Sequence, residues 1–162
     1  MAREKMQLGL QGVNWAIDRS RDAERTGEEL LFFASVAESL WWLTMLDESL
    51  WKTASVHRPY PAYRDSHEKG SVILGLRYAR NRQVHDAEVT GMQGNPLLNS
   101  QAERGWIWRS PEEPDVPEYQ PAGEWGMLQE KVYREDLSGN PIIETLEKAS
   151  TFLESWIAGF YY

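Results

Sequence analysis

The segment RYARNRQVHD, residues 77 to 86, places Arg77, Arg80, Asn81, Arg82 and His85 within ten positions. Arginine presents a planar fork of donors that matches the nonbridging oxygens of a phosphate, and a neutral histidine takes or gives a proton near pH 7. Asn81 can donate to phosphate or fix the ring orientation of His85. Together they could drive attack of a ribose 2′-hydroxyl on the adjacent phosphate, using positioning, proton transfer and charge stabilisation without a metal. The product would be a 2′,3′-cyclic phosphate end, so the reaction needs RNA and cannot cut DNA.

The element that must carry these residues is a helix, expected from about Glu68 to Thr90. At about 100° per residue, Ile73, Leu76, Val84 and Ala87 share one sector with Arg80 near its middle. An arginine thus occupies a core-facing position, and it needs either a buried carboxylate, for which Glu38 is the candidate, or a cleft between subunits. Arg77, Asn81 and His85 follow at intervals of four on a neighbouring row. Arg80 and His85 diverge by about 140°, so one monomer can only flank a cleft with them, whereas a second copy of the helix could complete a composite site. Arg77 and Arg82 are expected mainly in solvent, as auxiliary RNA contacts.

Earlier in the chain, Met6, Leu10, Val13 and Ile17 mark a first helix from about Arg3 to Arg19 or Arg21. In TGEELLFFASVAESLWWLTMLDESLW, Thr26 and Glu29 have the spacing of a capping box. Leu30, Phe33, Val36, Ala37, Leu40, Trp41, Leu43 and Leu50 then supply apolar contacts on more than one side. Asp47 and Glu48 are expected to face water. TASVHRPYPAYRDSHEKG reads as a crossing loop. RGWIWRS reads as a short strand with Trp106 and Trp108 on one face, followed by a proline-rich acidic loop over 110–123. EWGMLQEKVYREDL reads as helical over its second half, and Ile142 to Ile157 as the last helix. The expected fold is mainly α, an antiparallel bundle of about four to five helices with a small irregular or β elaboration after residue 91. The chain is read as a single domain over 1–162, with a bundle core over 1–91, the acidic elaboration over 92–140, and a returning C-terminal helix over 141–160.

Composition narrows the chemistry. The 162 residues contain no cysteine, which removes thiolate metal sites and cysteine nucleophiles. The net charge of −8 disfavours wrapping of long nucleic acid, yet residues 52–85 hold seven basic and two acidic side chains, so a locally positive groove fits the acidic whole. No GxxxxGK[ST], GxGxxG or HExxH motif occurs. His57, His67 and His85 with Asp65 or Glu68 match no recurrent metal spacing, and no cofactor is expected. The N-terminus lacks a secretory core and no later run reaches roughly 18 apolar residues, so a cytoplasmic protein with no membrane partner is expected.

RNRQVH, Arg80 to His85, resembles the RNxxxH form of the Arg plus four-to-six residues plus His motif of HEPN domains, helical bundles found in toxins, abortive-infection proteins and RNA-processing ribonucleases. The resemblance covers residues 1–91 as architecture, and only Arg80, Asn81 and His85 as site residues. It implies a homodimeric, metal-independent endoribonuclease in a toxin or defence setting, with RNA as substrate and a protein partner or antitoxin. Arg80 would bind phosphate and the transition state, His85 would transfer the proton, and Asn81 would support both. Inactive relatives imply the alternative, a catalytically silent helical module that forms a homodimer or binds a protein.

Overall fold

A computed structural model of the chain describes residues 2–53, 59–86, 92–94, 105–113 and 120–159, with the backbone alone at 2–3, 83–86 and 92–94. The expected mainly α bundle is what forms. Its elements are α1 (Ala2–Thr26), α2 (Glu29–Lys52), α3 (Tyr60–Ser66), α4 (Glu68–Asp86), β1 (Met92–Gly94), β2 (Trp106–Trp108), α5 (Gly123–Val132) and α6 (Ile142–Gly159). A π-helical turn, Tyr133–Leu137, continues α5.

Helices α1 and α2 form an antiparallel hairpin, because an added Cβ at Gly9 would meet Leu46 at 2.7 Å and one at Gly12 would meet the Trp42 ring at 2.6 Å. Glycine at these positions lets the helices approach closely. The turn corrects the capping-box expectation. Glu28 N–H donates to Ala23 O at 2.9 Å and Gly27 N–H to Glu24 O at 3.3 Å, with Gly27 at φ 75°. This is a Schellman stop, in which only glycine enters the left-handed region without cost. The Thr26 hydroxyl donates back to the Asp22 and Ala23 carbonyls, so Thr26 closes α1 and does not open α2.

The core side of α2 is Phe32, Val36, Leu40, Leu43, Leu46 and Leu50, all at most 1% exposed. Val13 and Ile17 of α1, Ile73 and Leu76 of α4, and Ile142, Leu146 and Leu153 of α6 close on that side. By length and composition α2 is apolar enough to cross a membrane, contrary to the sequence expectation, but here its core side packs within the bundle. The expected crossing loop also changes, since YPAYRDS within it forms α3. Tyr60 and Arg64 stand one turn apart on α3 and both turn inward.

Strand β2 pairs antiparallel with β1, as Met92 to Trp108, Gln93 to Ile107 and Gly94 to Trp106. Trp106 stacks on Phe32, and the Trp108 indole N–H donates to Thr145 Oγ1 at 2.7 Å. The two tryptophans thus pin the ribbon to α2 and α6. Helix α5 spans more of its segment than expected, and with the π turn it packs along α4. At Gly75 a Cβ would fall 3.1 Å from the Tyr133 backbone, so glycine seats the π turn against α4. Part of segment 92–140 is therefore a wall of the bundle; in its acidic loop Glu113 pairs with Arg109 and Glu112 with Arg134, while residues 114–119 lie outside the described residues.

Candidate functional site

The arginines of α4 meet the rest of the bundle at Asp47. This carboxylate is fully buried although it was expected in water. It accepts from Tyr60 OH at 2.6 Å, from Arg64 Nη1 at 2.9 and 3.0 Å, and from Arg77 Nε at 2.6 Å. Arg77 Nη2 lies 2.5 Å from the same carboxylate without the alignment of a hydrogen bond. Arg64, also fully buried, uses its Nε on Asp65 at 2.7 Å. Its guanidinium carbon lies 5.7 Å from the Trp125 ring of α5, which stacks at 5.4 Å on Trp51.

Two guanidinium groups on Asp47 and one of them also on Asp65 make a nearly neutral buried cluster. Such a cluster survives burial only because most of its donors are satisfied. Burial, and then the Asp47 charge, push the Tyr60 phenol well above its ordinary pKa and keep it a donor. Burial works against the charge on Arg64, but Asp47 and Asp65 outweigh it, and its pKa ends raised.

Arg80 is handled differently. It was expected against Glu38, but Glu38 is half-exposed, is held by Arg19 of α1 and accepts from Trp42 Nε1 at 3.4 Å. Arg80 itself is half-buried. Its Nη1 donates to Asn81 Oδ1 at 3.3 Å, its Nε is buried with no hydrogen-bond partner, and no described carboxylate pairs with it. Asn81 in turn donates to Gln129 Oε1 of α5 at 3.4 Å, so its amide is oriented from outside α4.

Two other expectations are corrected by the covering of α4. Arg77 is not a solvent charge, since its side chain is 16% exposed and bound to Asp47. Arg82 is buried at 6% and lies over the Tyr78 ring, its carbon 6.0 Å from the centroid. Burial raises the Tyr78 pKa, with Arg82 opposing that shift. The physical reason is the buried Asp47 of α2 for Arg77 and, for Arg82, the packing of α5 and the π turn along a face of α4 that the sequence leaves to water. The backbone of α4 runs unbroken through Arg80, Asn81 and His85; the His85 side chain, like Val84, Ala87 and His57, lies outside the described residues.

A metal centre gains nothing here. Among the described residues no group of three or more His, Asp or Glu side chains gathers. His67 Nδ1 accepts the Lys69 amide at 3.1 Å and its ring lies 5.2 Å from Phe152, lining a groove of about 580 Å³ between α3 and α6. Asp65 is engaged by Arg64.

Asp47, Tyr60, Arg64, Trp125 and Gln129 are the residues that sequence reasoning missed. One signal was present: Leu40, Leu43, Asp47 and Leu50 share the spacing of the core stripe, the same phase argument that singled out Arg80. Comparison with models of protein families, with curated proteins and with solved structures finds no match for the chain.

Proposed function

We propose that this protein is a metal-independent, HEPN-like endoribonuclease in which Arg80 holds the phosphate next to the cleaved bond. The observation that carries the reading is the contrast within one helix. Arg77 is committed to Asp47, whereas Arg80 is half-buried, has an unused Nε donor and pairs with no described carboxylate. A cation kept partly desolvated without a direct ion pair to a described carboxylate is poised for an external anion, and a guanidinium fork suits a phosphate. Asn81, held by Gln129, keeps the Arg80 neighbourhood in one arrangement.

In the reaction the ribose 2′-hydroxyl attacks the adjacent phosphorus and the 5′-oxygen of the next nucleotide leaves. The attacking hydroxyl loses its proton to His85, and Arg80 stabilises the charge gathering on the phosphoryl oxygens. Because Arg80 and His85 diverge around one helix, the complete set is assembled from two copies in a homodimer. The setting proposed is a toxin or defence system, in the cytoplasm, with RNA as substrate and a protein partner as regulator.

Purified protein incubated with RNA in a chelator should leave 2′,3′-cyclic phosphate ends. Arg80→Ala and His85→Ala should each abolish cleavage while preserving helicity and assembly. Undiminished cleavage in both variants would remove the site assignment. The alternative, a catalytically silent interaction module, is favoured by a different feature, the exposed apolar side of the α1–α2 hairpin.

A further inference from the structure

Helix α2 carries apolar residues on its core side and again on the side turned away from the core. On the opposite side Leu30, Ala34, Ala37, Trp41 and Met45 follow at spacings of four, three, four and four, and all but the half-buried Met45 are exposed. Leu30 is 84% exposed and Trp41 49%; on α1, Trp15 is 63% exposed. The two indoles alone leave on the order of 200 Å² of apolar surface in water. Exposed apolar patches of this kind mark interaction surfaces.

We infer that this face is the homodimer interface, where α2 of one copy lies antiparallel on α2 of a second. The pattern is self-complementary. With a two-fold axis passing between Ala37 and Glu38, Trp41 falls opposite Ala34 of the other copy and Leu30 opposite Met45. Each large side chain then meets a small or flexible one, as an isologous contact requires. The carboxylate nearest the axis, Glu38, is already held by Arg19, so the copies meet with its charge paired.

A lipid surface fits less well. Helices that lie on membranes carry Lys and Arg on their polar side, whereas α2 offers only Lys52 against Glu29, Glu38, Asp47 and Glu48. The inference rests on the ribonuclease reading only for the expectation of a second copy; it stands on different residues and is read out by mass instead of cleavage.

The test is the mass of the full chain in solution by light scattering. Twice the 18.7 kDa of one chain is expected for the wild type. Ala37→Arg and Trp41→Glu should each weaken association at least 100-fold, returning the mass to one chain with unchanged helical circular dichroism, while Met127→Glu, on α5, leaves the dimer intact. Because the chain has no cysteine, Ala37→Cys gives a check that does not depend on a disruptive variant. It should form a covalent dimer on mild oxidation, and Met127→Cys should not. A wild type at the mass of one chain at every concentration overturns the inference, whether or not it binds anionic vesicles. So does a dimer that survives both interface substitutions with Ala37→Cys uncrosslinked.

Discussion

Asp47 is the residue on which the arrangement of α4 depends. Removing its carboxylate leaves Arg64 and Arg77 as buried cations facing each other. Asp47→Ala is therefore expected to destabilise the fold by about 3–5 kcal/mol in urea denaturation, the usual consequence of breaking a buried pair from one side. Arg80→Ala should cost far less stability, because no buried partner is stranded. Glu24 offers a test with a pH sign. Burial, opposed by the Trp106 N–H it accepts at 2.9 Å, raises its pKa above the ordinary 4.5. A carboxyl with a raised folded pKa contributes stability below its unfolded value, and that contribution is lost as pH rises through the folded value. Glu24→Gln keeps an acceptor for Trp106 and removes the penalty, so its Tm should exceed that of the wild type at pH 7, with the gap closing below pH 4.5. At this scale the sequence was informative where phase was followed. Helical phase marks Arg80 as an inward charge, and it marks Asp47 equally, in register with Leu43 and Leu50.

Among the elements, α4 shows why exposure could not be read from one helix. Ile73 and Leu76 mark its core, yet Val72, Leu74, Tyr78 and Ala79 are buried as well, because α5 and the π turn cover another side. That covering comes from a segment that begins 38 residues after the end of α4, EWGMLQEKVYREDL. No periodicity within α4 announces it. Gly75 is the contact that lets it form. Gly75→Ala would place a methyl 2.6 Å from Leu137 and against the Tyr133 backbone. A loss of about 1–3 kcal/mol is expected despite the better helix propensity of alanine, measurable by thermal melting. The α1–α2 turn is ambiguous in sequence for a local reason, since TGEE satisfies both a capping box and a Schellman stop. Gly27, at φ 75°, decides for the stop. The β2 strand was legible from its alternation, and Trp108→Phe should cost about 1 kcal/mol by removing the bond to Thr145.

For the whole molecule, an acidic chain carries a local excess of basic residues in the stretch that folds as α3 and α4. Two of those arginines are neutralised on Asp47, and a third is left available. The bundle could be read from the sequence because helical periodicity is local. The site could be read only in part, because its anchors come from α2, α3 and α5, and their meeting is a property of packing. The measurement that tests the central claim most directly is the end chemistry of RNA incubated with the metal-free protein. The account predicts 2′,3′-cyclic phosphate ends from the wild type, and none from Arg80→Ala at unchanged helicity and mass. Cleavage by Arg80→Ala at the wild-type rate would contradict it.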